Sequence, residues 1–194
     1  MNIICNNCVG GRLYQQLNVE YNNPFIWCRI YYKSFKKLIC NFYTIDFHDI
    51  KYDDTYEIDN KRTHIILNNS IELNYTHYIQ NSKFDTPTKQ NNGIDIYYND
   101  IKSYTINKYL SRLNRMNIKD DNIFILIDAE NVHLTIDDIN DFLKLKLNGK
   151  KILVTHRNEF KDMQSDTVIH ITNETNTNNI AKELINNYSN IFNS

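Results

Sequence analysis

The residues best suited to chemistry lie near the start of the chain, in Asn6-Asn7-Cys8-Val9-Gly10-Gly11. A thiol precedes two adjacent glycines here, in a chain with only four glycines among 194 residues. If a strand enters this segment and a helix leaves it, the segment falls at the carboxyl edge of a sheet, where open α/β folds hold ligands. Adjacent glycines let a ligand approach the backbone closely, and the free N–H groups of a helix start favour an anion. The same positive end lowers a thiol pKa and makes the Cys8 thiolate more available as a nucleophile. Asn6, Asn7, Gly10 and Gly11 are the substrate-binding candidates of this loop. A second reading fits the same residues, a tight turn with Cys8 as a small buried hydrophobe. The segment matches neither the dinucleotide nor the triphosphate fingerprint.

Arg112 and Arg115, three apart on one helix, form either a fork for phosphate or carboxylate or a solvated face paired with an acidic segment. The diphosphate of a nucleotide sugar or the phosphates of coenzyme A suit such a fork. Asp128 and Glu130 follow a buried-type strand, where a carboxylate can face a ligand. No Asp-x-Asp spacing marks a metal-held nucleotide sugar. Cys5-x-x-Cys8 has the spacing of half a zinc knuckle or of a redox pair, but Cys28 and Cys40 form no second close pair. His48, His64, His133, His156 and His170 show no paired metal spacing and read as surface or structural, so no metal ligand is assigned.

These residues need elements to position them. Short β-rich runs alternate with amphipathic stretches, which predicts an α/β fold, a single domain with a mainly parallel sheet flanked by helices. Asn2 to Cys5 reads as a strand, followed by the Asn6 to Gly11 turn and a helix from Arg12 to about Leu17. Phe25 to Tyr31 reads as a strand, and Ser34 as the cap of a helix carrying Phe35, Leu38, Ile39 and Phe42 on one stripe. Asp46 to Asp59 is acidic and irregular, a solvated segment or an edge hairpin. Ile71, Leu73, Tyr75 and His77 recur at every second position, which puts His77 on the apolar face of a strand, as a satisfied core histidine or a functional one. The polar stretch at about 80–99 reads as a surface insertion, and a helix from about Ile101 to Met116 carries the two arginines. Ile123 to Ile127 and Lys151 to Thr155 are buried-type strands. Thr135-Ile136-Asp137-Asp138 opens a helix that ends near Gly149, and a last helix spans about 180–192.

Composition narrows the function classes. A formal net charge of −1 argues against a protein that coats nucleic acid, because such binding rests on Lys and Arg neutralising phosphates. The longest apolar run, Ile123 to Ile127, is far below the roughly 20 residues that span a bilayer, and the first residues lack the pattern of a secretory signal. A soluble, cytoplasmic protein with free thiols is expected.

The order of motifs carries a family resemblance. Ile3-Ile4-Cys5-Asn6-Asn7-Cys8-Val9-Gly10-Gly11-Arg12-Leu13-Tyr14, followed by Tyr21-Asn22-Asn23-Pro24, resembles the opening of the domain-of-unknown-function family numbered 1919, whose members are often labelled exopolysaccharide biosynthesis proteins. Ile71 to Tyr78 looks like that family's strand ending in His-Tyr, and Lys108 to Asn117 like its helix with two arginines. Asp121-Asn122-Ile123-Phe124 and Lys150-Lys151-Ile152-Leu153 follow in the same order. Cys5 stands where Ser is usual, and Val9 and Tyr109 where Trp is usual. The resemblance implies an α/β fold and an association with surface glycans. On that order, Cys8 and His77 are expected to meet at the sheet edge as thiol nucleophile and imidazole base. The function expected is transfer of a glycosyl or acyl group to a sugar, from a nucleotide sugar or acyl-coenzyme A as donor. The alternative is a glycan-binding or nucleotide-sugar-binding assembly protein without catalysis.

Overall fold

The computed structural model describes residues 1–53, 63–75, 94–128, 134–163, 167–171 and 176–192. Four parallel strands, β1 (Asn2–Cys5), β6 (Asn122–Asp128), β7 (Lys150–Thr155) and β8 (Val168–His170), lie side by side in that order. Successive strand residues point to opposite faces, and this alternation divides the apolar core in two. Ile3, Cys5, Ile123, Ile125, Ile127, Ile152, Val154 and Ile169 enter one cluster. It is closed by α1 (Val9–Leu17) packed against α5 (Thr177–Tyr188). Ile4, Phe124, Leu126, Leu153 and Val168 enter the other.

That second cluster is covered by α2 (Tyr32–Cys40), the C-terminal part of α3 (Ile94–Leu113), α4 (Ile136–Lys144) and a second sheet. The second sheet is antiparallel, in the order β2 (Cys28–Arg29), β5 (Ile71–Tyr75), β4 (Thr63–Leu67), β3 (Ile50–Tyr52). Phe25, Phe42, Phe47 and Phe124 fill the space between the layers, with ring centroids 5.4–6.4 Å apart in tilted and edge-on pairs. Such pairs add roughly 0.5–1.5 kcal/mol each beyond the area they bury. The α/β fold with its flanked parallel sheet is therefore present, alongside a second, antiparallel sheet.

Several boundaries differ from the sequence reading, each for a local reason. Val9, Gly10 and Gly11 are the first turn of α1 rather than part of a loop. The Phe25 to Tyr31 run yields only two strand residues, because Trp27 adopts φ +62°, which no strand tolerates. Ser34 lies inside α2, where its hydroxyl accepts the Glu72 N–H at 3.2 Å, so it ties the helix to β5 instead of capping it. The arginine-bearing helix begins at Ile94, within the expected insertion, and ends at Leu113 rather than Met116, so Arg112 is in its last turn and Arg115 in the turn beyond it, while residues 76–93 lie outside the described residues. The cap at Thr135 is found in full: its hydroxyl accepts the Asp138 N–H at 3.1 Å, and the Asp138 carboxylate accepts the Thr135 N–H at 2.9 Å. That helix stops at Lys144, short of Gly149, and α5 runs from Thr177 to Tyr188 with a single 3-10 turn beyond it. Among the described residues, no helix is long and apolar enough to cross a membrane.

Candidate functional site

β1 ends at Cys5, yet its hydrogen-bonding line continues through a side chain. Asn6 donates its N–H to Ile125 O at 3.3 Å, and its side-chain amide then accepts the Ile127 N–H at 2.8 Å and donates to Ile127 O at 3.3 Å. The amide thus replaces the next residue of the strand and frees the backbone to turn toward α1. The Asn6 carbonyl accepts the Ile30 N–H at 2.8 Å, which draws the segment after β2 to the same edge. Asn7 makes the turn, its Oδ1 accepting the Val9 N–H at 2.9 Å and the Cys5 thiol at 3.4 Å. Asn7 is 4% exposed, and its Nδ2 has no hydrogen-bond partner.

Cys8 is the N-cap of α1, with helical backbone angles, and its thiol caps nothing. It is partly exposed at the carboxyl edge of the parallel sheet. Cys5 and Cys28 are buried beside it, and all four cysteines are free thiols. Burial pushes the Cys5 thiol up to about 12, a charge on Cys8 pushes in the same direction, and the N–H groups of Asn7, Gly10 and Asn6 oppose both. Burial also holds Cys28 well above the ordinary thiol range, again with Cys8 adding and with the Asn74 backbone and the Arg112 guanidinium opposing. Neither buried thiol supplies thiolate near neutral pH, whereas Cys8 keeps access to solvent and the helix end. Iodoacetamide in mildly alkaline buffer is therefore expected to label Cys8 and the exposed Cys40 in the native protein and to spare Cys5 and Cys28. Mass spectrometry of the digest would count against this arrangement if Cys5 or Cys28 were labelled as fast as Cys8.

The two glycines are required by packing inside α1. A Cβ on Gly10 would sit 2.9 Å from the Cβ of Cys5, and one on Gly11 would sit 2.6 Å from the Trp27 ring. Trp27 lies against the helix at that point, and the Arg12 guanidinium lies 5.0 Å from its ring centroid. Tyr21 meets Trp27 edge-on at 6.4 Å, and the Arg112 guanidinium lies 5.4 Å from the Tyr21 ring. Arg112 and Arg115 both reach back to the 20–27 segment. Arg112 donates to Ile26 O and Arg115 to Tyr21 O, each at 2.8 Å, and Arg115 also pairs with Glu20 at 3.4 Å. Arg112 lies close enough to Cys28 to act on its thiol, whereas Arg115 lies toward the amino end of β1, where Asn22 donates to Met1 O, and one donor of each holds the segment that carries Trp27.

His77 lies outside the described residues, as does Glu130. β5, the strand leading toward His77, ends with Tyr75 paired to Cys28, so that strand runs into the thiol-bearing edge. Asp128, at the end of β6, is 2% exposed and fully engaged. Its carboxylate accepts from the Thr155 hydroxyl at 2.6 Å and from Arg157 Nε and Nη2 at 2.8 and 3.2 Å. His156 is exposed beside it, with Nδ1 2.8 Å from the Asp128 carbonyl. A carbonyl only accepts, so Nδ1 carries the proton and a neutral His156 keeps its lone pair on Nε2.

Arg12, Trp27 and the Thr155-His156-Arg157 group were not among the expected site residues. Arg12 had a usable signal, since it stands four residues after Cys8 and shares its helix face. Arg157 had none, because its carboxylate partner is 29 residues away in sequence.

The model of the Domain of unknown function (DUF1919) family matches residues 1–193. A comparison with curated proteins finds no match. With its opening strand, Asn-Asn-Cys turn and double-glycine helix inside that match, the chain belongs to the DUF1919 family.

Proposed function

We propose that this protein transfers an acyl or glycosyl group from a phosphorylated donor to a sugar, in surface-glycan biosynthesis of the exopolysaccharide type. The observation that carries the reading is the position of Cys8: a partly exposed thiol at the first turn of a helix, at the carboxyl edge of a parallel sheet, with arginines nearby. A helix start and neighbouring cations favour thiolate. Cys8 and His77 are the proposed nucleophile and base. Asn6, Asn7, Gly10 and Gly11 shape the edge against which substrate rests, and Arg112 contributes its positive charge; Arg115, paired with Glu20, holds the segment that carries Trp27.

For acyl transfer, His77 takes the Cys8 proton and the thiolate adds to the thioester carbonyl of acyl-coenzyme A. The carbon–sulfur bond to coenzyme A breaks as His77 gives the proton to the departing sulfur, so coenzyme A leaves as its thiol and His77 is again neutral. A sugar hydroxyl then attacks the acyl-cysteine, His77 receives the hydroxyl proton, and that proton returns to Cys8 as the ester is released. Cys8→Ala and Cys8→Ser are both expected to lose about 10³-fold or more in turnover with acyl-coenzyme A and a sugar acceptor, because a covalent intermediate has no substitute for its nucleophile. For glycosyl transfer from a nucleotide sugar, Cys8→Ser is expected to keep substantial turnover. Full activity of Cys8→Ala with acyl-coenzyme A would end the nucleophile assignment, and binding without turnover of either donor would leave a glycan-binding or nucleotide-sugar-binding protein.

A further inference from the structure

Arg12 stands apart from Arg115 and Arg157. Arg157 is held by Asp128, and Arg115 is paired with Glu20. Arg12 has no carboxylate within ion-pair distance among the described residues. Its Nη1 donates to Gln15 Oε1 at 2.9 Å, its guanidinium lies over Trp27, and its Nε is buried without a hydrogen-bond partner. A cation with a buried, unanswered donor invites an anion.

Its place on α1 gives that anion a setting. The Arg12 N–H donates to the Cys8 carbonyl at 3.3 Å, so the two residues stack one helical turn apart on one face, with Cβ atoms roughly 5–6 Å apart. The helix start lies at the Cys8 end of that face. A second and independent donor waits there. Asn7 is almost wholly buried, its Oδ1 is fixed on the Val9 N–H at the helix start, and its Nδ2 is unpartnered.

We propose that Arg12, lying on Trp27 one turn from Cys8, and the side-chain amide of Asn7 form a subsite for a phosphate or pyrophosphate group. A guanidinium supplies two parallel N–H donors to such a group, and the amide supplies a third at the helix end. The subsite rests on the transferase reading only for the molecule the phosphate belongs to, the donor. Trp27 is the chain's single tryptophan, so its fluorescence reports on the Arg12 contact directly.

The test is calorimetric titration of the full chain with inorganic pyrophosphate, followed in parallel by Trp27 emission. The wild type is expected to bind saturably and with salt dependence. Arg12→Gln, which keeps a polar stem against Trp27, is expected to weaken binding tenfold or more, and Arg12→Lys, which keeps charge without the fork, to fall between. Thermal unfolding of each variant confirms that it is folded. The subsite is overturned if the wild type shows no saturable binding up to about 10 mM, which corresponds to an interaction too weak to select a ligand, or if Arg12→Gln binds like the wild type. Pyrophosphate binding needs no turnover. Binding that depends on Arg12 in a protein inactive with every donor keeps the subsite and removes the transferase, while Cys8-dependent turnover with Arg12-independent binding does the reverse.

Discussion

Asn6→Ala is expected to lower the free energy of unfolding by about 2–5 kcal/mol, from the loss of one side-chain amide. The reason lies in Ile127, whose N–H and C=O have no backbone partner on β1, because β1 has already ended at Cys5. Both groups are answered by the Asn6 amide. Removing it leaves a donor and an acceptor buried in a completely covered strand, and each such orphan costs about 1–3 kcal/mol. Asn6→Asp keeps the acceptor, loses the donor and buries a charge, so it is expected to be no better. Urea unfolding would show a lower midpoint with an unchanged slope. A loss below about 1 kcal/mol would mean that water or the Asn6 backbone takes over the amide's role, since that is the size of an ordinary exposed bond.

Gly11→Ala is the second large effect, and it reads out at the site. The added methyl would lie 2.6 Å from the Trp27 ring, well inside contact distance. The ring has little freedom to yield, because Trp27 is fixed at φ +62° and its segment is held by Arg112 on Ile26 and Arg115 on Tyr21. Overpacking of this kind costs about 1–3 kcal/mol. The emission of Trp27 is expected to move to the red as the ring is displaced, and Arg12 is expected to lose its support. Combining Gly11→Ala with Trp27→Ala should remove the clash, so the double variant would be less destabilised than the sum of the two single ones. Additive losses and an unmoved emission maximum would show that Gly11 is not needed for the ring.

How much of this was legible depends on range. The β1 strand, the buried strand around Ile125 and the Thr135 cap rest on residues within a few positions of one another, so period and capping chemistry reveal them. Cys8 at the carboxyl edge also followed from local order, a strand followed by a helix. The glycines were legible as special, but their reason was not. Free space for a ligand and absence of space beside Trp27 both call for glycine, and only the fold separates the two. The arginines behaved similarly, since a spacing of three specifies a helix face and says nothing of the carbonyls of Ile26 and Tyr21, 86 and 94 residues away. Of the antiparallel sheet, β2 and β5 fall within runs read as strands and β3 within a segment read as a possible hairpin, while β4 went unread, because its apolar His64-Ile65-Ile66-Leu67 run is short and does not alternate.

The placement of β1 has a consequence for the order of assembly. Among the described residues β1 is an edge strand paired with β6 alone, with Asn2 and Asn122 joined side chain to side chain across 120 residues, and α1 rests on α5 further along still. Contacts of such separation close late, because the entropy of a long loop must be overcome before they yield anything. During synthesis the first strand, its thiol and its first helix must therefore wait unassembled while the antiparallel sheet and α2, built from nearer neighbours, can already form. The edge proposed for chemistry is the part of the molecule that cannot exist until almost all of the chain does, so an incompletely made chain carries Cys8 without the surroundings that would make it reactive.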